Sequence, residues 1–569
     1  MVAIARALPT RRIGRWSWSL LLWALLVLLV VGPLVGLLHR SFEPDSGTGG
    51  LTLDHYRNLF TASMRTAVAN TIVVSLGATI GSVALGGFLA WLAARTDVPA
   101  RGLVQMAGIA PLFFSSLVGA LTWSALASPA SGYLNLLFRD IGVPFTLSVY
   151  NAPGIVFVLT LYSAPFAFLF INAALNLASA DLEGAARVAG ATSWRETTRI
   201  TFPLVMPSIV GAAILIFVIV SENFPVVEIL GSYARMDFLP TQMFRLVNQF
   251  PARVGDAAAL GIVVLVVLWL VVWFQRAVVL RRSYVTVGGK GDRPKRIELG
   301  RWRWPALGVA VLSLLLSTVL PLCALVIGAF RRNQFAADFG ALVDPSEYTG
   351  EKFTAAMQYQ PFRDGMRNSL VMALLAALAG VVVAFVLAYA ARRRNAVGSG
   401  AIDFIALTPV ALPALVLGVA YLSFWLDLPV SLYGTMTILV LAYTARFVPQ
   451  GFEALSGTLL KVDDELEDGA VVAGAGRPRA AISITVPVLR SAFFSTGILL
   501  FVLSFRELTT ALFLYTPKTQ VVAIVIYGQW VEGNWPRLAS MSLAFTGVLM
   551  VLGFFARKGL GRSTGGART

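Results

Sequence analysis

The chain has 569 residues, of which 57% are hydrophobic and 13% charged, and its mean hydropathy is +0.76. This balance excludes a water-facing globule and requires a lipid-embedded chain whose backbone polar groups are satisfied inside helices or a closed barrel. The net charge of +16 does not indicate nucleic acid, because Lys and Arg sit mainly in short turns beside apolar runs, where they orient a chain against the membrane potential and anionic lipids.

Crossing a bilayer as helix takes ~18–20 apolar residues. In chain order the runs predict spans at Trp16–Leu38, Val68–Ala94, Leu103–Ala127, Gly154–Leu177, Ser208–Leu230 and Ala257–Leu280. A second set follows at Pro305–Phe330, Asn368–Ala391, Ala401–Leu426, Val430–Gly451, Ser491–Tyr515 and Ala539–Phe555. The prediction is an all-α polytopic membrane protein of about 12 helices, six and six.

The first run follows Arg11, Arg12 and Arg15, exceeds the length of a signal-peptide core and lacks a small-residue cleavage site, so it is expected to be a retained span with its basic end inside. The turns carrying Arg95 and Arg101, Arg276–Arg303 and Arg392–Arg394 then fall in the cytoplasm, as do both termini, including Arg557, Lys558 and Arg562. Ser41–Met64, Gly231–Asp256 and Arg331–Arg367 are expected outside. A single cysteine, Cys323, excludes an intramolecular disulfide, and two histidines, His39 and His55, are too few for a metal cage.

Two polar islands interrupt the apolar pattern: LEGAARVAGATSWRETTRITFPLVMP at 182–207 and LEDGAVVAGAGRPRAAISITVPVLR at 466–490. They align at a constant offset, since 474 − 190, 484 − 200 and 487 − 203 all equal 284. Earlier positions such as Asn70 and Asn368, or Pro111 and Pro409, differ by 298, so the first half carries 298 − 284 = 14 extra residues, assigned near Pro129–Asn151. The expected organisation is a first half, 1–280, a basic linker, 281–304, and a second half, 305–569. An even number of spans per half places both islands on the cytoplasmic side and relates the halves by an axis along the membrane normal.

Each island reads as two short helices about a glycine. In the first copy Leu182, Ala185, Ala186 and Ala189 share a small face, Gly190 permits the turn, and Pro203 is expected to end the second helix. In the second copy Pro478 stands in the first turn of the second helix. One copy alone could lie on the membrane surface; two in register favour a docking role.

Both islands resemble the cytoplasmic loop of ABC importer permeases, whose pattern is Glu-Ala-Ala, three residues, Gly, nine residues, Ile, one residue, Leu, Pro. Ala185, Ala186, Gly190, Ile200 and Pro203 match in the first copy, where Gly184 replaces the glutamate, Glu183 stands one place earlier and Phe202 replaces the leucine. Asp468, Ala470, Gly474, Ile484 and Pro487 match in the second, where Gly469 and Val486 depart. The resemblance implies the type I ABC importer transmembrane fold, coupling loops at 181–207 and 464–490, and a multi-pass place in the bacterial inner membrane. It also implies ATP-binding cassette ATPase subunits, as a homodimer, and an extracytoplasmic substrate-binding protein as partners. No Walker motif occurs, so ATP and Mg are expected on the ATPase and no cofactor on this chain.

Among such permeases the fused layout and ARTDVPARG at 94–102 resemble the ferric-iron group, with thiamine, aminoethylphosphonate and, less closely, polyamine systems as neighbours. The sequence itself shows no iron site. A secondary transporter is the competing class; it does not account for two islands of one spacing.

Charges within apolar runs are expected to face a partner or a water-filled path, since insertion scales put their cost at ~2.5–3.5 kcal/mol. These are Glu222, Arg506 and Glu507, and the offset of 284 places Arg506 on Glu222 and Glu507 on Asn223. Facing one another across the axis, they are expected to touch substrate or to form a Glu222–Arg506 salt bridge that gates the path, with Pro225 breaking the helix beside them.

Overall fold

The computed structural model describes residues 20, 22–44, 50–177, 188–190, 192–279, 296–393, 399–430 and 432–565. In the first half the apolar runs wind into α1 (Leu22–Phe42), α2 (Ala62–Arg95), α3 (Arg101–Phe113), α4 (Ser116–Ala127), α5 (Tyr133–Asp140), α6 (Ala152–Leu177), α7 (Thr197–Ser221), α8 (Phe224–Ala234) and α9 (Val254–Val279). The second half supplies α10 (Gly300–Phe330), α11 (Phe339–Val343), α12 (Gln360–Arg392), α13 (Ser399–Leu407), α14 (Ala414–Asp427), α15 (Met436–Leu459) and α16 (Asp464–Val472). It closes with α17 (Arg477–Val488), α18 (Arg490–Phe505), α19 (Val522–Val531) and α20 (Trp535–Gly565). Among the described residues there is no strand, only the isolated bridges Thr96–Ile297 and Arg331–Tyr348. The described chain is all-helical, as lipid demands of a backbone that must satisfy its own hydrogen bonds.

Among the described residues, eight helices are long and apolar enough to cross a bilayer, or ten spans if the bent pairs α3–α4 and α17–α18 each count once. Up to ten of the twelve expected spans are therefore found among the described residues. The remaining two predictions fall on the short helices α13 and α14 and on α15, which carries Arg446 and Glu453.

Several expected spans are broken. Leu103–Ala127 bends by 103° between α3 and α4. Ser208–Leu230 is interrupted at Glu222 and Asn223, and Ser491–Tyr515 stops as a helix at Phe505. Pro111 and Pro409 lie in 3-10 turns at the equivalent breaks of the two halves, and Pro225 begins α8, where a missing N–H costs nothing.

Prolines also explain a feature that the apolar pattern does not announce. Four π-turns, Val27–Val31, Thr197–Thr201, Leu315–Val319 and Ala481–Thr485, end two residues before Pro33, Pro203, Pro321 and Pro487. A proline ring crowds the carbonyl four residues back and offers it no donor, and the middle residue of each wide turn is the owner of that carbonyl. One freed carbonyl, that of Leu29, accepts from Tyr421 Oη of the other half at 2.8 Å. Pro203 therefore does not end its helix as expected: the turn widens around it and α7 runs on to Ser221. The pair Thr197–Thr201 and Ala481–Thr485 keeps the offset of 284.

Packing is reciprocal. Within each half α2 lies along α6 and α12 along α15, whereas α1 packs on α14 of the second half and α10 on α3 and α4 of the first. Gly32 makes the first crossing possible, because a Cβ there would stand 2.8 Å from the Phe424 ring. At one end of the stack, Ser41–Met64 meets Gly231–Asp256 through His55 Nδ1 and Asp256 Oδ1 at 2.7 Å, and Asn70 donates to Asp237 O at 3.0 Å. At the other, Ile297 donates to Arg95 O at 2.8 Å, which joins the end of the linker to the basic turn after α2. The expected extra residues near Pro129–Asn151 include α5, whose Asp140 accepts from Phe339 N of α11 at 2.7 Å.

Candidate functional site

Two sets of residues need placing, the polar islands and the charges at the helix breaks. In the second island Asp463 caps α16 by accepting from Glu465 N, and α16 ends at Val472, two residues before Gly474, whose φ of +97° is left-handed. Gly190 has the same conformation, φ +81°, and a Cβ at either glycine would meet nothing within 4 Å. Both glycines thus serve the turn itself. Two residues before each stands a valine almost wholly in the open, Val188 at 93% and Val472 at 89% exposure, again 284 apart.

Of the remaining island residues, Asp468 and Pro487 are exposed and Ala470, Ile200, Pro203 and Ile484 half-buried. Glu183, Ala185 and Ala186 lie outside the described residues. In the second island the acidic residue that the fold buries is Glu467, which sequence reasoning passed over in favour of its neighbour Asp468. Tyr389 Oη donates to Glu467 Oε2 at 2.8 Å, and Thr485 Oγ1 donates to Oε1.

The charges at the breaks are brought to the boundary between the halves. Glu222 caps the C-terminus of α7, and its side chain is only 9% exposed. Its Oε2 accepts from Ala414 N, the first amide of α14, at 3.1 Å, and its Oε1 accepts from Arg446 Nη2. Arg446 Nη1 also donates to Leu412 O at 2.6 Å. The expected Glu222–Arg506 salt bridge is therefore corrected: the partner of Glu222 is Arg446 on α15. Arg506 instead donates from Nη1 to Leu112 O, at the end of α3, at 2.8 Å. Burying either member of the Glu222–Arg446 pair alone would be costly, whereas together, with backbone groups filling their remaining positions, each charge is compensated.

The neighbouring residues cap. Asn223 Oδ1 accepts from Val226 N at 3.1 Å, and Glu507 Oε1 accepts from Thr510 N at 3.0 Å, the same bond at the offset of 284. Tyr443 Oη holds the Glu507 carbonyl at 3.0 Å. A small cavity beside Glu222 is lined by Ser221, Pro240, Met243, Pro413 and Val416, residues of both halves. Arg446 was overlooked although it lies within the predicted span Val430–Gly451, where the rule that singled out Glu222 applies equally.

Residues 82–284 match the family of binding-protein-dependent transport system inner membrane components. An ABC transporter permease protein, ORF1, of Streptomyces antibioticus is 32% identical over 203 residues, covering 35% of this chain and 87% of that protein. The ferric transport system permease protein FbpB of Actinobacillus pleuropneumoniae is 24% identical over 409 residues, 71% of this chain and 57% of the relative, so the chain spans a little over half of that protein's length. The ABC transporter permease protein y4fN of Sinorhizobium fredii is 23% identical over 578 aligned positions, 96% of each chain.

Proposed function

The chain belongs to the family of binding-protein-dependent transport system inner membrane components, and on that premise we propose that it is the permease of an ATP-driven importer whose cargo is ferric iron or a ferric complex. Residues 1–280 and 305–569 act as its two permease halves, joined by the linker at 281–304, and offer one coupling loop each to a pair of identical ATPase subunits. Those subunits bind and hydrolyse Mg-ATP. An extracytoplasmic binding protein delivers cargo to the end of the stack where His55 meets Asp256, while the islands and both termini face the cytoplasm.

The observation that carries this reading is the crossed contact at the breaks. Glu222 of the first half closes on α14 of the second, and Arg506 of the second half closes on α3 of the first. Such contacts hold a path shut while the halves are together and part when they rotate, as alternating access requires. Glu222, Asn223, Arg506 and Glu507 are its gate. Support for iron comes from the ferric permeases among the relatives. Thiamine, aminoethylphosphonate and polyamines are the competing cargoes.

The test is uptake by cells that express the permease with its neighbouring ATPase and binding protein, together with identification of the ligand the binding protein retains. Iron retained, and radioiron taken up only with a hydrolysis-competent ATPase, supports the reading. A retained organic cation or phosphonate overturns the cargo, and uptake that follows an ion gradient without the ATPase overturns the class.

A further inference from the structure

We propose that Glu467 is the positioning residue that carries movement of the second coupling loop into the gate. The proposal rests on the reading of α16 as the segment that meets the ATPase. Glu467 is 8% exposed, and both of its oxygens are taken: Oε2 by the Tyr389 hydroxyl at 2.8 Å and Oε1 by the Thr485 hydroxyl. Tyr389 lies in the last turns of α12, and Thr485 is the final residue of the π-turn in α17. One carboxylate on α16 thus ties three helices at one point.

A second tie is weaker. Arg393 pairs with Asp464 and donates to Val462 O at 3.3 Å, but the Asp464 side chain is 73% exposed, and solvent-screened pairs contribute little. Hydrogen bonds to a buried charge are the stronger kind.

The position of Thr485 decides what a pull on Glu467 moves. Its π-turn precedes Pro487, and the helix bends by 75° between α17 and α18, so the force enters at the joint of that arm. The far end of α18 is Phe505, followed by Arg506, which holds the Leu112 carbonyl of the other half. A displacement of α16 therefore has a continuous hydrogen-bonded and helical route to the crossed contact. The sequence repeats the acid and the hydroxyl as Glu183 and Thr201 at the offset of 284. At the offset of 298 Tyr389 corresponds to Trp91, whose buried Nε1 has no hydrogen-bond partner among the described residues.

The experiment uses the full chain with its ATPase in nanodiscs, carrying Cys323→Ser and a single reporter cysteine, Ser221→Cys, beside Glu222. The readout is the change in the rate at which a maleimide labels the reporter when Mg-ATP is added. We expect Tyr389→Phe and Thr485→Val each to shrink that change by about fivefold or more, the lower end of ordinary allosteric coupling. Hydrolysis by the bound ATPase should persist, and Thr485→Ser, which keeps the donor in place, should restore most of the response. An undiminished response in Tyr389→Phe and Thr485→Val overturns the role of Glu467. Loss of ATPase binding in both variants, with no recovery in Thr485→Ser, also overturns it and makes Glu467 a docking support only. A wild-type reporter indifferent to ATP overturns instead the reading on which the proposal rests.

Discussion

Arg506 and Glu222 stand at the same place in the two halves, with opposite charge, and each closes the helix break of the other half: Arg506 on the Leu112 carbonyl at 2.8 Å, Glu222 on the Ala414 amide at 3.1 Å. The inversion of charge has a physical cause. Leu112 lies in the last turn of α3, where carbonyls are free and the helix end is negative, whereas Ala414 opens α14, where amides are free and the end is positive. A cation suits the first and an anion the second.

From this follows the first prediction. Glu222→Ala leaves the Arg446 guanidinium buried without its partner and should destabilise the chain by about 3–5 kcal/mol, whereas the apolar double variant Glu222→Leu with Arg446→Met should cost less than Glu222→Ala alone. Exchanging Glu222→Arg with Arg446→Glu should recover part of the loss, and exchanging Glu222→Arg with Arg506→Glu should recover none. Unfolding of detergent-solubilised protein, followed by tryptophan fluorescence, ranks the four.

Arg506→Met removes one charge-assisted hydrogen bond to a backbone carbonyl and should cost about 1.5–3 kcal/mol by the same assay. Arg506→Lys keeps a cationic donor and should retain more than half of that. Equal losses would mean that the planar guanidinium, and not the donated bond, is what the break requires.

How far the sequence led can be judged from these residues. Glu222, Arg506 and Glu507 were legible because charge within grease is costly enough to announce itself, and the offset of 284 placed them together. Their partners were not legible. A parallel repeat says which positions are equivalent, not that Glu222 reaches past its equivalent to Arg446 on another helix. The π-turns were hidden for a different reason: Pro203 read as a stop, because proline ends helices in water, while in this stack its missing bond is absorbed by a wider turn. Glu467 was obscured by the resemblance itself, which drew attention to the matching position one residue on.

The islands give a prediction that separates turn from surface. Gly190→Ala and Gly474→Ala force a side chain into left-handed backbone and should each cost about 1–2 kcal/mol in stability. Val188→Asp and Val472→Asp, on open aliphatic side chains, should leave stability unchanged but weaken recovery of the ATPase in pull-down by roughly tenfold, about 1.4 kcal/mol. Undiminished recovery by both valine variants would remove these positions from the docking surface.

Topology is checked independently. With Cys323→Ser as background, Gly289→Cys in the linker should be labelled by an impermeant maleimide only after the cytoplasmic side is opened. Lys352→Cys, in the segment expected outside, should be labelled in intact spheroplasts. Labelling of the Gly289 site from outside would invert the orientation drawn from the basic turns.

The central claim, that this chain passes cargo inward under the drive of a separate ATPase acting on its islands, is tested most directly in proteoliposomes holding the permease and ATPase, with the ferric-loaded binding protein on one side. The account predicts that ATP on the opposite side drives radioiron from the binding-protein side, that a hydrolysis-dead ATPase abolishes the movement, and that Glu222→Ala with intact ATPase reduces it. Movement of radioiron at the wild-type rate with the dead ATPase, or with no ATPase at all, would contradict it.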